Sequence, residues 1–223
     1  DSFIEYGTFA IAAQRQRRHI EELIDRTPAD GLVSGLGTVN GALFDHEQSR
    51  CAVVGYDYTV LAGTQGFINH RKKDRLFDIV ERLRLPVVIF AEGGGGRPGD
   101  TDAPGVAGLD VMSFATFARL SGLAPTICIA SGYCFAGNAA LLGCCDVIIA
   151  TENSNIGMAG PAMIEGGGLG VVSPTDIGPI DVQSGNGVVG ISVAAEVAAG
   201  SIAKKYLAFF EGTPTGWSRD PDE

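Results

Sequence analysis

Histidine, tryptophan and methionine are scarce in this 223-residue chain: three, one and three copies. None of the three histidines (His19, His46, His70) lies in a glycine-rich segment, so a histidine base there is a poor expectation. Positive charge is also short, with 16 Lys and Arg against 26 Asp and Glu, a net charge of −10. That balance argues against general nucleic-acid binding, which needs a basic face. It leaves room for one local anion site. No apolar run reaches 18 residues, so no membrane span is expected. Glu5, Arg15, Arg17 and Arg18 interrupt the N-terminal apolar pattern, and no signal-peptide core follows. The five cysteines include no Cys-x-x-Cys pair, so neither a zinc ribbon nor another metal site is expected. Cys144 and Cys145 are adjacent, but a vicinal disulfide is strained, and core packing in a reducing, cytoplasmic setting is the better reading.

Glycine is abundant: 32 residues, well above the usual share of about 7%. The glycines cluster at the ends of apolar runs, where they read as tight turns and ligand-facing backbone. The apolar run Leu85–Ile89 predicts a buried strand, and Phe90-Ala91-Glu92-Gly93-Gly94-Gly95-Gly96-Arg97-Pro98-Gly99-Asp100 follows it. Four glycines there leave backbone N–H groups unhindered and make φ > 0 cheap. Such a loop can build an oxyanion hole from main chain alone. A second loop of this kind, Gly132-Tyr133-Cys134-Phe135-Ala136-Gly137-Asn138-Ala139, follows the strand-like Ile127–Ala130. Two glycine-lined strand ends suggest enolate chemistry on a thioester.

The periodicity predicts an amphipathic helix over residues 5–26, ended by Thr27-Pro28, and two or three strands over 31–61. It predicts helices over 69–84, about 109–121, about 135–143 and about 194–210. Strands are expected at 86–91, 126–131, 146–150 and 188–193, with a glycine-rich region at 157–185. Strands alternating with helices give a layered α/β body. The expected division is an N-terminal helix at 1–30, one domain at 31–212 and a Pro- and Asp-rich linker or tail at 213–223.

Over residues 30 to 212 the chain resembles the amino-terminal half of the carboxyltransferase domain of biotin-dependent acyl-CoA carboxylases. Gly93–Arg97 is similar to that family's Ser-Gly-Gly-Ala-Arg loop, and Gly132–Gly137 to its Gly-x-Cys-x-Gly-Gly turn. Ile156–Pro161 is similar to the segment beside the site. Asn186–Gly190 with Ala194-Ala195-Glu196 is similar to the closing block. Gly190, Ile191 and Ala195 depart from that block, where an acidic residue, a histidine and another acid are expected.

The resemblance implies a crotonase-like spiral of ββα units. It implies the acyl-CoA-binding half of an enzyme that moves CO2 from carboxybiotin to an acyl-CoA α-carbon through an enolate. Biotin, carried on another component, would act as base after releasing CO2. Partners would be a biotin carrier, a biotin carboxylase, and a second carboxyltransferase half in cis or in trans, in a homo- or hetero-oligomer. Gly94 and Gly95, or their immediate neighbours, would donate N–H bonds to the thioester oxygen. Gly137, with Ala136 beside it, would supply the second oxyanion donor, and Gly93, Gly96 and Arg97 would contact the substrate.

Each assignment has a plainer alternative. Gly93–Gly96 could be a wide turn, and Gly137 could mark close packing of a helix on a strand. Arg97 could orient a phosphate or carboxylate through its planar fork, or pair with Asp100 or Asp102. The basic run His70-Arg71-Lys72-Lys73-Asp74-Arg75 opens a helix, with Asn69 as candidate N-cap. Arg71, Lys72 and Lys73 are candidates for CoA phosphates, since helix N-termini favour anions; otherwise they form a solvated face. Gly160–Gly168 is a candidate acyl-channel lining. Two other functions remain open: a stand-alone crotonase-type decarboxylase or hydrolase using Glu92, Asp100 or Glu165, and a non-catalytic scaffold subunit.

Overall fold

Short apolar strands, several of them followed by a helix, build one sheet whose two faces are packed. The computed structural model describes residues 2–102, 111–213 and 215–216. Its strands are β1 (Phe3–Glu5), β2 (Leu32–Thr38), β3 (Arg50–Tyr56), β4 (Val87–Phe90), β5 (Thr126–Ala130), β6 (Tyr133–Phe135), β7 (Val147–Thr151), β8 (Asn155–Gly157) and β9 (Ile191–Val193). Its helices are α1 (Ile20–Arg26), α2 (Phe67–Leu83), α3 (Ser113–Ala118), α4 (Gly137–Gly143), α5 (Pro161–Gly166), α6 (Ile180–Gly185) and α7 (Glu196–Ala208).

Seven strands form the main sheet in the order β1-β2-β3-β4-β5-β7-β9. The first two pairings are antiparallel and the rest parallel. The central register sets Val53 beside Val88 and Val88 beside Ile127. A parallel sheet covered on both faces needs continuous apolar strands rather than alternating ones, and every residue of β5 is buried. On one face Phe77, Val80, Phe117 and Leu141 pack on Val54, Ile89 and Cys128. On the other, Ala199, Ala203 and Leu207 of α7 pack on Val88, Ile127, Ile129 and Ile149. A second, two-stranded parallel sheet joins β6 to β8.

Three expectations are corrected. The helix expected over 5–26 is confined to Ile20–Arg26, and Phe3–Glu5 instead extends the sheet. Gly7 turns at φ +71°, and Asp102 takes the N–H groups of Arg15 and Gln16, so tertiary bonds replace helical ones. Phe9, which would be an apolar position of that helix, is 99% exposed. β6 and β8 were not foreseen, because three-residue strands carry no periodicity. The helix expected near 109–121 spans Ser113–Ala118; residues 109 and 110, like most of the expected 213–223 tail, lie outside the described residues. All five cysteines carry free thiols. Among the described residues no helix is long and apolar enough to cross a membrane.

Candidate functional site

The two glycine loops meet. Gly93 donates to Tyr133 O at 2.7 Å, and Phe135 N–H returns to Gly93 O at 2.9 Å. A Cβ built on Gly95 would lie 2.6 Å from the Ala136 Cβ, so the loops touch backbone to backbone. Glycine is required twice over at both positions: a Cβ on Gly93 would lie 2.2 Å from Gly63 O and 2.3 Å from Asn138 Nδ2, one on Gly95 would meet Ala136, and the φ values are +155° and +87°.

Most N–H groups of these loops are already used. Gly94 donates to Ala62 O at 3.0 Å, Gly95 to Asn138 Oδ1 at 3.2 Å, and Ala136 to Gly157 O at 2.9 Å. The expectation that Gly94 and Gly95 themselves donate to a ligand oxygen is therefore corrected, and Ala136 is likewise spent. The N–H groups left over are those of their neighbours. Among the described residues, neither Gly96 N–H nor Gly137 N–H has an acceptor, and the Asn138 and Ala139 N–H groups of the first turn of α4 also have none.

The direction of the Gly96 and Gly137 N–H groups follows from peptide planarity, because C=O and N–H of a trans peptide point opposite ways. Gly95 O accepts Gln65 N–H at 2.7 Å, so Gly96 N–H points away from Gln65. Ala136 O accepts Ala140 N–H at 2.9 Å inside α4, so Gly137 N–H points out of the helix start. Ala136 enters that start at φ 51°, ψ −118°. A non-glycine residue in such a region costs about 1–3 kcal/mol and persists only where its surroundings impose it.

Beside the loops lies a cavity of about 300 Å³, lined by Gly94, Tyr58, Tyr133, Phe135 and Gly160–Met163. Tyr133 stacks on Phe135 at 5.7 Å between ring centres. The lining is mostly apolar and takes in the start of α5, so part of the expected channel segment, Gly160 to Met163, borders the glycine loop. Glu165 stands exposed on α5.

Arg97 is not available to a ligand. It is buried, ion-paired to Asp30 and 3.6 Å from Asp100, and it donates to Thr64 Oγ1 at 3.1 Å and Thr64 O at 2.8 Å. The ligand-orienting expectation is corrected; the pairing with Asp100 is present, and the Asp102 carboxylate goes to Arg15 instead. Asp30 and Asp100 also cap α2, taking Asn69 N–H at 2.7 Å and Phe67 N–H at 2.8 Å. The N-cap position is Gly66, and Asn69 sits inside the first turn. This helix start already holds two carboxylates, which fills the anion site that CoA phosphates were expected to use. Burial pushes the Asp30 carboxyl up, with Arg97 and the Asn69 N–H opposing it.

The basic run divides. Lys73 is fully buried, donating to Tyr56 OH at 2.5 Å and Gln65 Oε1 at 3.0 Å, so it presents no charge to solvent. Lys72 donates to Ala29 O at 2.9 Å and also to Leu32 O. Arg71 is exposed, 4.9 Å over the Phe67 ring, at a separate cavity of about 380 Å³ lined also by Tyr6, Ser34, Ile68, Lys72 and Arg75. Glu92 is largely buried and accepts Ser131 N–H at 2.5 Å; burial raises its carboxyl above the usual range. It lines a third cavity of about 420 Å³ with Tyr56, Phe90 and Glu196. The sequence reading missed Asn138 and Gln65, which bind the two loops together, and Asp30, which ties Arg97 to the start of α2. A polar residue at the start of an apolar helix was the one signal for Asn138.

The profile of the carboxyl transferase domain family matches residues 1–222. A solved single-chain, multi-domain long-chain acyl-CoA carboxylase superposes with a TM-score of 0.92 at 60% identity, covering 98% of this chain and 22% of that one. The transcarboxylase 12S hexamer, solved with methylmalonyl-CoA bound, superposes at 0.74 with 25% identity, covering 98% of this chain and 40% of that one. The beta4 subunit of a biotin-dependent long-chain acyl-CoA carboxylase from Mycobacterium tuberculosis is 29% identical over 219 residues, 86% of this chain and 39% of that subunit. The chain spans 36–39% of the length of the first curated relatives it matches.

Proposed function

Since the chain belongs to the carboxyl transferase domain family and has its crotonase-like fold, we propose that it is the acyl-CoA-binding half of a biotin-dependent carboxyltransferase. The observation that carries this reading is the pair of unclaimed N–H groups, Gly96 and Gly137, on loops that touch while the N–H groups of Gly93, Gly94, Gly95 and Ala136 are spent. A thioester oxygen accepting from both would gain charge as the α-proton leaves. Donors fixed beforehand stabilise that charge without reorganising, each worth about 3–4 kcal/mol. Carboxybiotin, when bound, supplies the CO2 that the enolate carbon takes up.

A second half-domain and the biotin carrier and carboxylase components would complete the site, as part of a larger oligomer. The apolar cavity beside Gly94 suits an acyl chain, and the 60% identity to a long-chain enzyme makes a long-chain acyl-CoA the first substrate to try. Of the candidates for CoA phosphates, Arg71 is the exposed one, at the separate surface cavity that Arg75 also lines. The stand-alone reading needs an internal acid or base. Asp100 is held by Arg97 and α2, Glu165 is exposed on α5, and Glu92 lines a different cavity, so none serves it. The two free donors also favour catalysis over a scaffold role.

The test removes one donor. A Cβ on Gly96 would meet open space, and the φ of Gly96 is not positive. Gly96→Ala keeps the N–H and is expected to work like wild type. Gly96→Pro deletes the N–H and is expected to lower kcat about 10²–10³-fold. Wild-type turnover by Gly96→Pro would overturn the reading.

A further inference from the structure

Asn138 is fully buried at the second position of α4, and its side-chain amide is saturated. Its Oδ1 accepts Gly95 N–H at 3.2 Å and Gln65 Nε2 at 3.3 Å. Its Nδ2 donates to Glu92 O at 3.1 Å and Gly63 O at 3.3 Å. Two acceptor and two donor sites are all that a primary amide offers. The orientation is unambiguous: the backbone N–H of Gly95 requires an oxygen, and the two carbonyls require the nitrogen.

Gln65 extends the network. Its own backbone grips both ends of the Gly96 segment, giving its N–H to Gly95 O at 2.7 Å and taking Arg97 N–H at 3.0 Å. Its side chain bridges Asn138 to Lys73, whose ammonium can only donate and so fixes which end of the amide faces it. Tyr56 OH holds the far side of Lys73. A buried chain thus runs from β3 through α2 to the glycine loop and α4, and no member of it reaches the cavity beside Gly94.

We propose that Asn138 is a positioning residue: with Gln65 and Lys73 behind it, it fixes the Gly94–Gly95 peptide, and so, together with the Gln65 N–H on Gly95 O, holds the next peptide with its Gly96 N–H turned away from Gln65. The inference rests on the proposed oxyanion role of that N–H, and it predicts a defect in turnover rather than in substrate capture. Asn138 touches Gly95 rather than any ligand, so its loss tilts a donor that matters most once charge has developed.

The experiment compares Asn138→Ala with Leu142→Ala, a core substitution in the same helix, in the complete carboxyltransferase. Asn138→Ala is expected to lower kcat about 10–100-fold while KM for acyl-CoA changes less than about threefold. Leu142→Ala is expected to lose stability but keep kcat below its melting point. Hydrogen exchange supplies a readout independent of activity: the Gly95 amide should exchange about tenfold faster or more in Asn138→Ala, with β5 unchanged. Unchanged kcat in Asn138→Ala, or an equal kcat loss in Leu142→Ala, would overturn the proposal. So would an unchanged Gly95 exchange rate. Faster exchange combined with wild-type turnover by Gly96→Pro would leave the clamp standing and remove the oxyanion reading instead.

Discussion

Gly95 and Ala136 oppose each other so closely that a methyl group on Gly95 would come to 2.6 Å from the Ala136 Cβ. Each of the two also has a positive φ, +87° for Gly95 and 51° for Ala136. The junction therefore tolerates one Cβ and not two. Gly95→Ala must accept both the clash and a left-handed backbone, and it should lose about 1–3 kcal/mol or more. Carboxyl transfer should fall with it, because the Gly95 carbonyl aims the Gly96 N–H. Ala136→Gly should do the opposite. It relieves about 1–3 kcal/mol of strain against an unfolded-state entropy cost of about 0.5–1 kcal/mol. Urea unfolding should show it modestly more stable, and a clearly less stable Ala136→Gly protein would contradict the strain assignment.

Arg97 carries a different prediction from the one its sequence position suggests. It follows the glycine loop and looks like a ligand clamp, yet it lies buried between Asp30 and Asp100, which cap α2. Arg97→Met leaves two buried carboxylates without their cation, which typically costs about 3–5 kcal/mol. The expected result is a large drop in the urea midpoint. Acyl-CoA affinity should change little in whatever fraction stays folded. A stable variant with a raised KM would restore the ligand-binding role.

The order of the main-sheet strands from β3 on and of α2, α3, α4 and α7 was legible because apolar runs and helical periodicity survive in sequence from Val53 to Leu207; β6, β8, α5 and α6, of three to six residues each, were not. The glycine loops were legible too, since Gly93–Gly96 and Gly132–Gly137 stand at strand ends. Which N–H groups remain free was not legible. That depends on acceptors brought from elsewhere, such as Ala62 O in a tight turn, Asn138 Oδ1 on α4 and Gly157 O on β8. The division of the run from His70 to Arg75 was hidden for a related reason. A helix 17 residues long turns Lys73 inward and Arg71 outward, and a charge on a predicted helix gives no warning that it will be buried with its own acceptors.

His70 sets an acid limit on stability. Its Nδ1 lies 2.9 Å from Ser113 Oγ, which in turn donates to Asp74 Oδ1 at 2.5 Å. Burial, with help from Lys73 and Arg97, pushes the imidazole down to about 3. In the unfolded chain it titrates near 6.5. Between these values the unfolded state binds a proton that the native state refuses, so stability falls as pH drops below about 6.5, by up to about 1.4 kcal/mol per unit. His70→Asn keeps a polar partner for Ser113 and should flatten the fall between about pH 6.5 and 5, measured by denaturant titration at several pH values. An identical slope in wild type and variant would assign the acid sensitivity elsewhere.

Lys73 acts on the alkaline side. Burial lowers its ammonium to about 7, the nearby Asp74 and Asp30 resisting and Arg97 assisting, against about 10.4 in the unfolded chain. Above pH 7 the unfolded state holds more protons, so stability should rise with pH, again by up to about 1.4 kcal/mol per unit. Buried thiols limit the window: Cys51 is pushed up to about 12, so above about 8.5 the unfolded chain ionises its cysteines first and gains. The rise should therefore show between about pH 7 and 8.5 and vanish in Lys73→Met. Turnover should not collapse over that range. A neutral amine still has two N–H donors, and Lys73 has two acceptors to satisfy, Tyr56 OH and Gln65 Oε1. Losing the proton thus relieves the buried charge while both bonds to the clamp remain. A stability curve that falls from pH 7 to 8.5 in wild type, and not in Lys73→Met, would show that the charged form is the one the fold prefers.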